Sequence, residues 1–228
     1  MPQLFKMFTF SEENYLKAIY HLEIDADKGI STNAIAKKLE TKASSVTDMV
    51  KKLSEKKVVV YKKYQGVTLT DFGKKTAANV VRKHRLWEVF LVEKLDFSWD
   101  EVHDVAEQLE HIKSPKLINQ LDSFLGFPTH DPHGDPIPDK EGNLKTIEKS
   151  LLSTLNKNET GVCVGVDDSS SEFLRFLDKK GITLGKQITV LEKEDFDDSL
   201  SIQIDNKKLS ISNKIANNLY IQKVNKGL

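Results

Sequence analysis

The stretch RKHRLWEVFLVEKLDFSWDEVHDVAEQLEHI, residues 82–112, decides the fold of this chain. Six side chains in it combine helical spacings with the ability to bind a metal ion: His84, Glu88, His103, Glu107, Glu110 and His111. The first two are four residues apart, so a helix stacks them on a single face. The other four follow offsets of 0, 4, 7 and 8, which trace one stripe of a second helix. The stretch therefore predicts two helices that carry imidazole and carboxylate groups.

Polar stripes of this kind have two interpretations. Acidic residues and histidines on an amphipathic helix usually form its solvated face. The opposite side of the second helix is apolar, and its members are Val102, Val105, Ala106, Leu109 and Ile112. The polar stripe therefore borders a surface that faces a core, and it can be turned inward to form a metal site. Both interpretations stay open on the helical pattern alone.

The composition indicates a soluble globular protein. With 228 residues and 39% hydrophobic content, the chain can bury a substantial core and divide into two or three small domains. The N-terminal sequence MPQLFKMFTF lacks the features of a secretion signal, and no stretch approaches the roughly 20 apolar residues that span a bilayer. We therefore expect no membrane association and a cytoplasmic location. Cys163 is the only cysteine, so a metal here must use nitrogen and oxygen ligands.

A net charge of zero conceals a strong asymmetry along the chain. Residues 31–85 contain fourteen Lys and Arg against four acids, a balance of +10. Residues 86–142 contain thirteen acids and four bases, a balance of −9. The first segment is suited to a polyanion and the second to a cation.

The basic segment has the pattern of a winged helix-turn-helix. Ser11 is a plausible N-cap for a first helix to about Glu23, and Ser31 or Thr32 caps a short second helix. A third helix begins at Ser44, after a short turn. The run VVVYKKYQGVTLT, residues 58–70, then predicts two strands around a Gln-Gly turn.

This motif predicts a surface that binds double-stranded DNA. Residues at the start of the third helix can reach base edges, and they are Ser44, Ser45, Thr47 and Asp48. Lysines of the third helix and the wing can neutralise phosphates, and they are Lys51, Lys52, Lys62 and Lys63. Tyr64 is an aromatic residue of the wing beside them. A lysine-rich helix often serves solubility alone, but here the basic excess coincides with the motif.

Helices continue after the wing. Thr70 is expected to cap a long helix to about Leu95, followed by helices from about Trp99 to Ile112 and from Pro115 to Leu125. Apolar residues in excess of one face suggest a dimer surface, and they include Trp87, Phe90, Leu91, Leu117, Leu121 and Phe124. Packing within one chain is the alternative explanation.

The remaining chain divides into a link and a β-rich region. The run FPTHDPHGDPIPDKEGN, residues 127–143, predicts a rigid irregular link. Four of its residues can be interpreted as metal ligands or as ordinary turn residues, and we favour the turn: His130, Asp131, His133 and Asp135. From about Lys149, five or six short alternating runs predict a small β-barrel with one short helix, in which Cys163 is a buried apolar residue.

The order of the winged helix and three motifs resembles the diphtheria-toxin-repressor family of metal-dependent transcription regulators. The motifs are RKHRLWEVFL at 82–91, VHDVAEQLEHI at 102–112 and DPHGDPIP at 131–138. The resemblance implies a mainly α protein with small β elements and three domains. These are a winged helix-turn-helix DNA-binding domain at 1–75, a helical metal-binding and dimerisation domain at 76–142, and an SH3-like, FeoA-type β-barrel at 149–228.

The same resemblance implies a function and two ligand sets. The expected function is a homodimeric repressor that binds operator DNA when loaded with Mn²⁺, or alternatively Fe²⁺, and controls metal-homeostasis genes. His84, Glu88 and His103 match the ancillary site of the family. Glu107, Glu110 and His111 match its primary site. Glu107 stands where iron-responsive members carry Cys, and a carboxylate is the harder ligand, which favours manganese.

Two positions on the first helix and two in the barrel depart from the family pattern. Asn14 stands where manganese-responsive members place Asp, so a neutral amide oxygen replaces an anionic ligand. Lys17 stands where the short manganese-responsive members have a bridging Glu, which argues for two separated metal sites in each chain. Alignment on Phe173 places Glu172 at a position where longer members supply a barrel ligand, and Ser169 at another. Glu172 is therefore a candidate ligand, whereas Ser169 is not.

Two other functions are considered. A metallohydrolase is disfavoured because His103 and Glu107 do not form H-E-x-x-H, no nucleophile elbow or phosphate loop occurs, and six protein ligands leave little room for water. A winged-helix regulator that needs no metal is the second alternative, and the departures at Asn14 and Ser169 are what support it.

Overall fold

The computed structural model describes residues 8–24, 26, 28–145 and 147–224. The chain divides into two compact units. The first unit comprises Met1–His84, Glu107–Gln120 and Pro138–Leu144. The second unit comprises Arg85–Ala106, Leu121–Ile137 and Lys145–Leu228.

The first unit contains the predicted winged helix-turn-helix. Its elements are α1 (Phe10–Ile24), α2 (Thr32–Lys38), α3 (Ala43–Glu55), β1 (Val59–Lys62) and β2 (Gly66–Leu69). The two strands form an antiparallel hairpin in which Val59 pairs with Leu69. The helices meet in a core whose fully buried members include Leu16, Ile19, Ile35, Val46, Val50 and Leu53. The winged-helix prediction is thereby confirmed.

Local sequence explains where these elements begin. Ser31 Oγ accepts a hydrogen bond from the Ala34 amide and caps α2, as expected. For α1 the predicted cap was wrong: Thr9 and Glu12 exchange side-chain to backbone hydrogen bonds as a capping box, so Ser11 lies inside the helix. Gly66 has φ +92°, and a Cβ there would lie 2.7 Å from the Ile30 carbonyl oxygen, so the hairpin requires glycine.

Three further helices follow the wing. They are α4 (Asp71–Leu95), α5 (Val102–Leu109) and α6 (Pro115–Phe124). Thr70 Oγ1 accepts a hydrogen bond from the Gly73 amide at 3.0 Å, which confirms the predicted cap of α4. The helix expected over 99–112 is shorter, because it ends at Leu109 and the next residues form a turn closed by the Ile112 amide and the Leu109 carbonyl. Glu110 and His111 therefore lie in that turn.

The second unit contains a six-stranded antiparallel sheet in the order β3-β8-β4-β5-β6-β7. The strands are β3 (Ser150–Leu151), β4 (Thr160–Val166), β5 (Gln187–Lys193), β6 (Leu200–Ile204), β7 (Lys207–Ile211) and β8 (Leu219–Lys223). Register shifts in β4 and β5 mark bulges, which bend a sheet. Besides the expected helix, α7 (Ser171–Lys180), there is a second short one, α8 (Asn213–Ala216). Cys163 is 1% exposed in the core of this sheet.

The apolar residues that suggested a dimer surface fall into a buried and an exposed group, with Phe90 half-buried between them. Trp87, Leu91 and Leu121 are buried within the chain, so packing inside one chain explains them. Phe124 and Leu117 are 66% and 41% exposed and remain available to a partner. Among the described residues, no helix has the length and hydropathy needed to cross a bilayer.

Candidate metal centres and nucleic-acid interface

Three candidate ligands from the predicted sets meet in the first unit. His84, Glu107 and Glu110 each offer one ligand atom within 4.8 Å of the others, and we name them the first cluster. His84, on α4, places Nδ1 2.6 Å from Glu110 Oε2. The Glu110 carboxylate is fully buried. Thus His84, expected in the ancillary set, lies against a residue of the primary set.

His111 is oriented toward the first cluster by a carboxylate that the sequence did not indicate. Its Nδ1 lies 2.6 Å from Glu13 Oε2, and its Nε2 lies 3.9 Å from Glu110 Oε1. The ring also stacks on Phe10 with centroids 4.5 Å apart. A carboxylate that holds one ring nitrogen while the other is directed to a site is typical of metal-binding histidines. Glu13, in the first turn of α1, had only its position beside Asn14 as a signal.

Lys17 contributes a cation to the same place. Its Nζ donates to both carboxylate oxygens of Glu110 at 2.8 Å, and it lies 3.1 Å from Glu107 Oε1. Burial alone would raise the pKa of Glu110, but the hydrogen bond with His84 and the charge and hydrogen bond of Lys17 lower it. Glu110 is therefore held as a buried, partnered carboxylate.

An independent observation supports Asn14 as a potential cation ligand. Its Oδ1 is buried and has no hydrogen-bond partner among the described residues. It stands three residues before Lys17 on α1, so the two side chains are neighbours on one helix face. An unpaired buried acceptor is unfavourable, and a cation would satisfy it. Imidazole, carboxylate and amide oxygen together suit Mn²⁺ or Fe²⁺, so the donor set fits a divalent ion of that class.

A second group of potential ligands meets in the second unit. Glu88, Asp131 and His133 each offer a ligand atom within 4.8 Å of the others, and all three are buried. We name them the second cluster. His103 lies beside it, with Nδ1 3.5 Å from Glu88 Oε1, although its side chain is 61% exposed.

The loop residues of the second cluster are positioned by specific contacts. His133 Nε2 lies 2.8 Å from the Trp99 carbonyl oxygen, so Nδ1 is directed to Glu88, 3.8 Å away. Asp131 Oδ1 accepts the backbone amides of His133 and Asp135, each at 2.9 Å. Burial and the charge of Glu88 raise the pKa of Asp131. For His133, burial alone would lower the pKa, but the contact with Glu88 and the charges of Glu88 and Asp131 together outweigh burial and raise the pKa to about 9.

The turn interpretation of this loop was therefore incomplete. Asp131 makes the expected turn hydrogen bonds, yet it and His133 are buried beside Glu88. Both aspartates pair with Arg85, whose Nε lies 3.3 Å from Asp131 Oδ2 and whose Nη2 lies 3.1 Å from Asp135 Oδ2. No group of potential metal ligands found among the described residues includes His130 or Asp135. The sequence signal was the i, i+2 spacing of Asp and His, which is too common in turns to identify a site.

Glu172 does not join either cluster. It lies exposed in the first turn of α7, and the groups of potential ligands within the described ranges do not contain it. Ser169 is exposed as well. The structure therefore places the ligand candidates of the link, and not those of the barrel, beside Glu88.

The predicted DNA-binding residues are mostly on the surface of the first unit. Exposed positions at the start of α3 and on the wing are Ser44, Ser45, Asp48, Lys51, Lys62, Lys63 and Tyr64. Tyr64 is 95% exposed, and Lys63 Nζ lies 5.1 Å from its ring centroid. Thr47 differs, because its hydroxyl donates to the Ala43 carbonyl within α3.

Lys52 has a partner inside the chain. Its Nζ lies 3.2 Å from the buried Glu12 carboxylate, which Lys56 also contacts at 2.7 Å. Burial would raise the pKa of Glu12, but hydrogen bonds from Lys56, Thr9 and Lys52 lower it to about 2. Lys52 therefore links α3 to α1, while its side chain stays 53% exposed.

Models of three known domain families match the chain. They are the iron-dependent repressor N-terminal DNA-binding domain at residues 7–67, the iron-dependent repressor metal-binding and dimerisation domain at 70–139, and the FeoA domain at 151–223. Together these matches leave only short segments between them.

Individual proteins resemble the chain to different extents. The HTH-type transcriptional regulator MntR of Oceanobacillus iheyensis is 36% identical over 155 residues, which are 68% of this chain and 98% of that protein. A solved manganese-dependent transcriptional repressor in complex with manganese has a TM-score of 0.85 and 34% identity, over 93% of this chain and all of the other. A probable metal transport system membrane protein of Chlamydia trachomatis is 48% identical over 71 residues, but the match spans 31% of this chain and 16% of that protein.

Proposed function

Because the chain belongs to the diphtheria-toxin-repressor family of metal-dependent transcriptional regulators, we propose that it represses transcription by binding operator DNA when a divalent cation is held by the first cluster. The observation that carries the proposal is the meeting of His84, Glu107 and Glu110 in the same unit as the winged helix. The matched family models and the similar regulators are repressors, not hydrolases, so the metallohydrolase alternative is set aside.

The first cluster and the α1 side chains beside it connect three parts of the first unit. Glu13, Asn14 and Lys17 come from α1, which packs against α2 and α3 in the winged helix. His84 comes from α4, and the other ligands come from the end of α5 and the turn after it. A divalent cation would supply two positive charges shared by groups from all three parts. The orientation of α1, and with it the position of α3, would then depend on whether the cluster holds a cation.

Mn²⁺ is the proposed ion, with Fe²⁺ as the alternative. Carboxylates, imidazoles and an amide oxygen are harder ligands than a thiolate, and Cys163 lies in another unit, buried in a core. One solved relative is described as a complex with manganese. The second cluster supports a second ion in each chain, with His103 as an additional ligand.

We also propose that the repressor acts as a homodimer. One matched family is a metal-binding and dimerisation domain, and Phe124 and Leu117 provide exposed apolar surface. Two recognition helices enter successive major grooves when they lie about 34 Å apart. A change in the posture of α3 is then enough to alter operator affinity. By linkage, DNA must increase the metal affinity by the same factor as the metal increases the DNA affinity. The coupling free energy is typically about 1–3 kcal/mol.

The test is a DNA-binding titration with and without metal. DNA selected by the protein from a random-sequence pool in Mn²⁺ serves as the operator. We expect the affinity of the wild type to fall about tenfold or more in EDTA. Glu110→Gln should bind weakly in both conditions, and Glu194→Gln, an exposed control in the second unit, should behave as wild type. Equal wild-type affinity in Mn²⁺ and EDTA would instead favour the regulator that needs no metal.

A further inference from the structure

Lys17 places an ammonium group against the carboxylates that would bind a metal ion. The Nζ contacts both oxygens of Glu110 and one oxygen of Glu107, and its side chain is only 13% exposed. Glu110 Oε2 also has His84 Nδ1 at 2.6 Å. The carboxylate oxygens of Glu110 therefore already have positively charged or hydrogen-bonding partners.

A divalent cation and this ammonium cannot share the same oxygens without repulsion. Charges of like sign about 3–4 Å apart repel strongly where water is largely excluded. Two negative charges, on Glu107 and Glu110, face the single charge of Lys17. A cation that coordinates both carboxylates must therefore separate Lys17 from at least one of them.

In the absence of metal, the same contact has a stabilising role. Two carboxylates so close together repel each other, and the fully buried carboxylate of Glu110 would be unfavourable without a partner. Lys17 removes both penalties and, because it lies on α1, keeps α1 attached to the end of α5. The metal-free cluster is thus held together by a cation that belongs to the chain.

We propose that Lys17 is an internal competitor of the metal ion. In the metal-free protein the Lys17 ammonium takes the place of the ion at Glu107 and Glu110, and it thereby sets the concentration of free metal needed for loading. The proposal rests on the proposed function, because it requires the first cluster to hold metal. Displacement of Lys17 also changes a contact of α1. Metal binding therefore acts directly on the helix that packs in the winged-helix core.

A purely structural salt bridge makes the opposite prediction for metal affinity. If Lys17 only supports the cluster, its removal loosens the carboxylates and weakens metal binding. If Lys17 competes, its removal destabilises the metal-free protein but strengthens metal binding. The sign of the change in metal affinity therefore distinguishes the two roles.

The experiment measures Mn²⁺ dissociation constants of the full-length chain without DNA, by competition with a fluorescent chelator. Lys17→Met removes the charge and keeps most of the side-chain length, and Lys17→Arg keeps the charge. Lys116→Met, at an exposed position of the same unit, is the control for net charge. We expect Lys17→Met to bind Mn²⁺ about tenfold or more tightly than wild type, and the other two variants to stay within about threefold.

Unchanged or weaker Mn²⁺ binding by Lys17→Met would overturn the proposal. The proposed function fails separately: if Glu110→Gln does not change Mn²⁺ binding in either background, the first cluster is not the metal site. A second measurement needs no substitution. In ¹³C-labelled wild type, Cd²⁺, which is diamagnetic, should move the Lys17 ε-methylene signal to the position of solvated lysines, and an unchanged signal would also overturn the proposal.

Discussion

Glu13 is the residue that connects α1 most directly to the chemistry of the first cluster. Its carboxylate holds His111 Nδ1 at 2.6 Å, and Lys83 lies 3.8 Å from the same oxygen. A carboxylate in this position fixes the imidazole ring and makes its free nitrogen a better donor to a metal. Its contribution is therefore to orientation, without a bond to the ion.

Replacing Glu13 should weaken metal binding while leaving every proposed ligand in place. We expect Glu13→Gln to lower Mn²⁺ affinity by about 10- to 100-fold, the usual effect of removing such a partner. Chelator competition measures it, and Glu55→Gln, exposed on α3, is the matched control. Wild-type affinity in Glu13→Gln would show that His111 does not depend on this contact.

Cys163 gives a second prediction for a single residue. Burial raises the pKa of its thiol to about 11, so at pH 8 only about one molecule in a thousand carries a thiolate. We expect no reaction of the folded protein with a thiol reagent over minutes, and complete reaction in denaturant. Rapid modification of the native protein would contradict the burial of β4.

Beyond the winged helix, the segment that contributes most to the candidate metal centres is the irregular link at residues 127–143. It supplies two of the three residues of the second cluster, and its backbone is fixed by hydrogen bonds such as that from the Val166 amide to the His133 carbonyl. The irregular segment therefore has a defined conformation that holds Asp131 and His133 beside Glu88 of α4.

Removing a ligand of this link should remove one ion and leave the other. We expect the wild type to retain two Mn²⁺ per chain after dialysis against low-micromolar Mn²⁺, and His133→Ala to retain one. Elemental analysis measures the ratio. His130→Ala is the matched control in the same loop, since His130 is not part of the second cluster. Two ions bound to His133→Ala would rule out the second cluster as a site.

The sequence predicted elements better than it predicted contacts. Thr70, the Gln65-Gly66 turn and the alternating runs of the barrel are local signals, and α4, the wing and the six strands followed from them. Glu13, Asp131 and Lys17 act through partners tens to nearly a hundred residues away, so no local pattern could identify their roles. The geometry of the predicted helical stripe was wrong, because Glu110 and His111 lie in a turn after α5.

For the whole molecule, the separation of charge along the chain has a measurable consequence. Residues 31–85, which carry the excess of bases, include the exposed start of α3 and the wing. Each phosphate contact releases counterions and adds to the salt dependence of binding. Lysines of the wing should therefore contribute to affinity for all DNA sequences alike.

We expect the double variant Lys62→Ala and Lys63→Ala to reduce the slope of log affinity against log salt by about 2, roughly one for each phosphate contact. Fluorescence anisotropy at several salt concentrations gives the slope. The control replaces Lys186 and Lys193, which lie in the second unit. An unchanged slope in the wing variant would remove the wing from the DNA interface.

The most direct test of a cation in the first cluster is anomalous diffraction at the manganese edge, on crystals of the full chain grown with Mn²⁺. We predict a peak within about 2.0–2.3 Å of carboxylate oxygens of Glu107 and Glu110 and of an imidazole nitrogen of His84 or His111. Manganese peaks found only elsewhere, with Lys17 still paired to both carboxylates, would contradict the account.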